Sequence, residues 1–269
     1  MIGNSRASLA RVRERVNDEF ENPELAEAGR GLLQVADLLT RERPLRSALA
    51  DSGRSGADRA NTVRQLLEGR TNALCVDIAG VIAEQRWSNE SDLVDAYEYA
   101  GAQALLGASE REGTLDQVEN ELFRFGRIVQ ADGELQLALS SPANSVQTKQ
   151  NILHDLLSGK ANPITIELLG FVAGHLRGRR VEQAVETLTE LAAERRGKLV
   201  ATVTAARPLT DDQKQRLGSV LERIYNHPVA LNFVLDPTIV GGISIQIGDE
   251  VIDGSIANRL ESARRRVAG

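Results

Sequence analysis

Sliding the chain by 90 residues lays residues 32–83 over residues 122–173 without a gap. Identical pairs include Leu32/Leu122, Leu45/Leu135, Ala48/Ala138, Leu49/Leu139, Ser55/Ser145 and Asn61/Asn151. They continue through Leu66/Leu156, Leu67/Leu157, Gly69/Gly159, Asn72/Asn162, Gly80/Gly170 and Ala83/Ala173. Other pairs keep their chemistry, such as Arg59/Lys149 and Asp77/Glu167. Two copies at so long a period indicate a duplicated domain, because a solenoid needs a shorter period and more copies.

Each copy has the apolar period of helices. Leu122, Phe125, Ile128 and Val129 fall on one face of a 3.6-residue turn, and Ile152, Leu153, Leu156 and Leu157 form a second stripe. Gly159 is a helix stop, Asn162 an N-cap and Pro163 a first helical residue. The helix predicted over Ile164–Leu176 is apolar on more than one face, which calls for a central place in a bundle. Its counterpart is Ala73–Ala83, and a further amphipathic helix is predicted over Val181–Arg195.

At Gly197 the apolar period changes from 3.6 to 2. Residues 198–204 have strand character, and Thr210 with Gln213 fits a capping box before a helix expected to bury Leu217, Val220, Leu221 and Ile224. Alternation returns over 229–235 and 243–247. Gly248-Asp249 has the chemistry of a hairpin turn, Val251-Ile252 returns as a strand, and a last helix is expected after Ser255. The expected fold is therefore mainly α, two related helical bundles followed by a small α+β module of mixed sheet and helix. The domains fall at residues 1–92, 93–196 and 197–269.

Composition narrows the function. The formal charge is −6; residues 94–197 carry net −5, while 198–269 carry net +1. Aromatics are 3%, too few for base-stacking platforms, and the net charge has the wrong sign for a general DNA binder, so no nucleic-acid partner is expected. One cysteine and three histidines leave little for a metal centre or disulfide framework, and no cofactor is expected. No apolar run is long enough to span a membrane, and the first residues lack a secretory signal. Asp249, Glu250 and Asp253 form the one carboxylate cluster of note, at a predicted turn where Asp serves local hydrogen bonding. Gly242, Gly248 and Gly254 do not make a dinucleotide fingerprint, and neither Gly159-Lys160 nor Gly197-Lys198 has the upstream glycine of a phosphate loop. The residues indicate no catalysis, but by themselves leave open a free-standing helical adaptor or regulator.

A longer pattern is more specific. Asp236-Pro237-Thr238-Ile239-Val240-Gly241-Gly242, then Gly248-Asp249-Glu250-Val251-Ile252-Asp253-Gly254-Ser255 and Arg259-Leu260, closely resembles the signature of the delta subunits of F-type ATP synthases. That family includes the mitochondrial oligomycin-sensitivity-conferring protein. Lys149 after Pro142, Arg179-Arg180, and Gly197-Lys198 before the Val203–Leu209 run follow in the family's order. The additional copy at the amino end, where Ser52 replaces the proline equivalent to Pro142, is similar to the actinobacterial form.

The resemblance implies a non-catalytic stator subunit on the cytoplasmic face of the bacterial cell membrane, in a peripheral complex. Its implied partners are the amino-terminal helices of alpha subunits, the b or b-prime stalk subunits and, beside them, beta subunits. The alpha helix is expected in a groove lined by Tyr97, Ala100, Leu105, Ile164, Leu168 and Phe171. The stalk is expected on the carboxy-terminal module, whose signature residues are Asp236, Pro237, Gly241, Gly242, Gly248, Asp249, Asp253, Gly254, Arg259 and Leu260. The equivalent groove near Leu9–Val16 and Leu74–Ala83 is open to two readings, a second alpha-helix site or a first copy that only braces the second bundle or the stalk.

Overall fold

The computed structural model describes residues 4–195, 199–225, 229–236, 242–247 and 250–253. The chain forms two compact units, Met1–Ala192 and Ala193–Gly269. The helical elements are α1 (Asn4–Asp18), α2 (Leu25–Arg41), α3 (Arg43–Ala50), α4 (Gly56–Leu67), α5 (Ala73–Glu84), α6 (Glu90–Arg111), α7 (Leu115–Ala131), α8 (Gly133–Ser140), α9 (Val146–Leu157), α10 (Pro163–Gly174) and α11 (Val181–Arg195).

The 90-residue shift carries α2, α3, α4 and α5 onto α7, α8, α9 and α10 at both ends of every helix. The identical residues explain the agreement, because several of them set helix ends. Ser55 Oγ accepts the Asp58 N–H and Ser145 Oγ accepts the Thr148 N–H, both at 3.1 Å. Asn72 Oδ1 accepts the Cys75 N–H at 2.8 Å, and Asn162 Oδ1 accepts the Ile164 N–H at 2.9 Å. Each such cap contributes about 1 kcal/mol. Gly69 and Gly159 follow α4 and α9 with φ of 69° and 72°, the left-handed turn that glycine adopts without a Cβ penalty.

Two hydrophobic cores result. The amino core holds Val12, Val16, Leu32, Leu39, Val63, Ile78, Ile82 and Trp87. The carboxy core holds Leu122, Phe125, Val129, Leu153, Leu168, Leu169, Val185 and Leu188. Helix α6 belongs to both, and fifteen of its 22 residues are buried. Leu93, Ala96, Tyr97, Ala100 and Ala104 enter the amino core, while Ala102, Leu105, Leu106 and Ala108 enter the carboxy core. It is the closing helix of the first bundle and the opening helix of the second. The boundary expected between residues 92 and 93 falls inside it. Ile128 and Leu156, expected on buried stripes, are exposed. Their stripes turn their margins to water once Leu122, Phe125, Val129 and Leu153 fill the interior.

The second unit contains β1 (Leu199–Ala205), α12 (Asp211–Tyr225), β2 (Val229–Leu235), β3 (Ile243–Ile247) and β4 (Glu250–Asp253). The sheet order is β2-β1-β3-β4, with β1 parallel to β2 and antiparallel to β3, and β3 antiparallel to β4. A parallel pair requires a crossover, which α12 supplies. The capping box forms in both directions. Gln213 Oε1 accepts the Thr210 N–H at 2.9 Å, and Thr210 Oγ1 accepts the Gln213 N–H at 3.3 Å. Ala201, Val203, Leu221, Val229, Ile245 and Ile247 make the core of this unit. Val220 and Ile224 are exposed rather than buried, since only the Leu217 and Leu221 side of α12 meets that core. The last helix expected after Ser255 and the Gly248-Asp249 turn lie outside the described residues.

Candidate functional site

The wall of the expected groove is built by α6 and α10. Helix α6 starts at an Asn89 cap whose Oδ1 accepts the Asp92 N–H at 2.8 Å. Its Ala- and Gly-rich middle lets a neighbouring helix approach closely at Gly101. The structure buries five of the six groove residues. Tyr97, Ala100 and Leu105 are fully enclosed, and Ile164 and Leu168 nearly so. Tyr97 Oη donates to the Ala79 carbonyl at 2.8 Å, and burial lifts its phenol well above the ordinary tyrosine range. Only Phe171 keeps partial exposure. It packs against both cores and stacks on the His175 ring with centroids 4.3 Å apart.

Helix α2 packs against the α6 side of this wall. A Cβ on Gly29 would stand 2.9 Å from the Gly101 carbonyl oxygen and 3.1 Å from Ala104 Cβ. A Cβ on Gly101 would stand 2.7 Å from Leu33. The two glycines therefore set how closely α2 and α6 pack. Leu33 joins the carboxy core. Arg30 forks onto Glu167 of α10, Nε to Oε2 at 2.8 Å and Nη2 to Oε1 at 3.0 Å. Asp37 Oδ1 lies 2.9 Å from His175 Nε2.

A second charged group fastens the segment after α10 to α6. Arg177, a non-glycine residue at φ 47°, donates to both Glu98 carboxylate oxygens and to Asp95. Arg179 Nη2 donates to Glu98 Oε2 at 3.0 Å. Burial pulls the Arg177 guanidinium down, but Glu98 and Asp95 outweigh it, so the net shift is upward. Beside the group opens a cleft of 410 Å³ lined in part by Thr40, Arg46, Glu90 and Arg179. Among the described residues no three His, Cys, Asp or Glu side chains converge as a metal site, and no helix is long and apolar enough to cross a membrane. Cys75 is buried and burial raises its thiol.

In the sheet unit, the Asp236 N–H donates to the Ala205 carbonyl at 2.9 Å, holding the chain where it leaves β2. Gly242 has φ 88°, which an L side chain reaches only under strain. Asp253 ends β4 opposite Ser244. Pro237, Gly241, Gly248, Asp249, Gly254, Arg259 and Leu260 lie outside the described residues. Sequence reasoning missed Gly29, Arg30, Asp37, Glu98 and Arg177. The one available signal was Gly29 and Gly31 inside an otherwise strong helical pattern, which marks close packing rather than a stop.

Residues 96–267 match the family model described as ATP synthase delta (OSCP) subunit. ATP synthase subunit delta of Streptomyces griseus is 43% identical over 267 residues, covering 98% of each chain. The proteins of the same description from Streptomyces coelicolor and Thermobifida fusca are 44% and 40% identical, covering all of this chain and 98% and 100% of their own lengths. These alignments run through the amino bundle, which lies before the family match. This chain belongs to the ATP synthase delta (OSCP) subunit family, the non-catalytic stator component of the F-type synthase.

Proposed function

We propose that the chain ties the amino-terminal helices of alpha subunits to the b or b-prime subunits of the peripheral stalk, so that rotor torque drives ATP synthesis. The helical unit meets the catalytic head, with a beta subunit beside the alpha contact. The sheet unit, with the signature around Asp236, Gly242 and Asp253, meets the stalk. The complex stands at the cytoplasmic face of the bacterial membrane, with this chain as a peripheral member. The observation that carries this reading is the family match, which runs from the first third of α6 into the sheet unit. The charges suit it, since net −5 over residues 94–197 attracts a basic amphipathic helix.

Affinity capture of the tagged chain from detergent-solubilised membranes tests the proposal. Alpha, beta and b subunits are expected in the captured fraction. Recovery of the chain without them would sink it.

A further inference from the structure

We infer that Lys149, with Val146 and Pro142 beside it, is a further contact point for the catalytic head: a seat for a carboxylate carried on an apolar segment of a head subunit. The inference rests on the linking role proposed above and deepens it, because this segment differs in charge from the basic helix that the acidic bundle attracts.

The repeat supplies the internal control. Arg59 of α4 and Lys149 of α9 are equivalent positions. Arg59 spends its guanidinium on five backbone carbonyls, in the α3–α4 connection and at the end of α5. Lys149 is 6% exposed, and among the described residues its side chain meets neither a carbonyl nor a carboxylate. Its stem is buried while Nζ is not sealed from solvent. The task that Arg59 performs is done by another residue in the carboxy copy. Beyond the end of α10, Arg179 Nη2 donates to the His175 carbonyl and Nε to the Leu176 carbonyl, both at 3.1 Å. Lys149 is therefore spare as a helix-end cation.

The surface beside it changes chemistry between the copies in step. Ser52 and Gly56 of the amino copy become Pro142 and Val146, both exposed. Val146 lies one turn before Lys149 on the same side of α9. It rests on the end of α10, its Cγ1 2.7 Å from where a Cβ of Gly174 would stand. On α8, which the Pro142 loop joins to α9, Leu137 replaces Ser47 and is 71% exposed. A lone ammonium at the edge of an apolar surface selects a carboxylate with apolar neighbours. The carboxylate accepts a charge-assisted hydrogen bond from Nζ, and its neighbours displace water from Val146 and Pro142, which strengthens the pair.

The test uses the full chain and a catalytic head from which the delta subunit has been removed. Lys149→Met keeps the buried stem and removes a desolvated charge, so the variant folds, which circular dichroism verifies. It is expected to bind the head about tenfold more weakly than the wild type at low salt, with the difference shrinking as salt rises. Val146→Asp is expected to weaken binding as well, by repelling the incoming carboxylate. In purified synthase, zero-length carbodiimide cross-linking is expected to join Lys149 to an aspartate or glutamate of a head subunit, read by mass spectrometry of the joined peptides. Either folded variant binding within twofold of the wild type overturns the inference, as does a Lys149 that is joined only within its own chain or left unjoined. Failure of the wild-type chain to bind the head would instead sink the linking role, and this site with it.

Discussion

Arg59 and Lys149 occupy equivalent places in the two copies and meet different fates. Arg59 is buried and donates to five carbonyls, those of Asp51, Arg54, Ala83, Glu84 and Gln85. It thereby closes the end of α5, where cations suit the negative end of the dipole. Lys149 is also buried, and burial lowers its pKa from 10.5. The folded chain therefore holds this proton less tightly than the unfolded chain does, so Lys149 adds stability as pH climbs through the window just below 10.5. Buried Tyr97 and Cys75, whose pKa values burial raises, act in the opposite sense as pH climbs, so the Lys149 contribution is read as a difference: across that window the wild type is expected to gain stability relative to Lys149→Met in chemical denaturation. Tyr97→Phe removes the buried hydroxyl that bonds the Ala79 carbonyl. It should lower unfolding stability by about 1 kcal/mol and leave co-purification with the synthase unchanged.

At the scale of elements, the crossing of α2 and α6 is the tightest test of the fold. Gly29→Leu brings a side chain to where the Gly101 carbonyl and Ala104 already stand. The helices must separate, at a cost of about 1–3 kcal/mol in thermal or urea unfolding. Gly242→Val acts in the other unit by forcing a branched residue to φ 88°. It should cost about 1–3 kcal/mol and weaken co-purification of b subunits, while ATP hydrolysis by the isolated head is unaffected.

These elements also show how far the sequence is legible. Val181–Arg195 is the observed extent of α11, and Asn162, Thr210 and Gln213 cap as their spacing indicates, because capping is local chemistry. Exposed Ile128, Val220 and Ile224 are different: periodicity marks an apolar stripe without giving the width of what covers it. The position of α2 is also hidden. A Gly29–Gly101 approach joins residues 72 apart and leaves no mark in hydropathy, so the close packing of α2 on α6 is not legible in the sequence.

Across the helical unit, sharing α6 makes the two bundles interdependent. A fragment ending at residue 92 lacks Leu93, Ala96, Tyr97 and Ala100 from its core. That fragment should give an unfolded far-ultraviolet circular dichroism spectrum, whereas residues 1–195 should melt in one cooperative transition. Two independent melting steps in the longer fragment would contradict this.

Helix α6 is about 33 Å long at 1.5 Å per residue. Joining the copies through it puts an unbroken rod where duplicated domains ordinarily have a loop. Bending the pair would mean snapping backbone hydrogen bonds in mid-helix, not merely swinging a linker. A protein built on this plan gains length in steps of five helices and acquires no slack with each step.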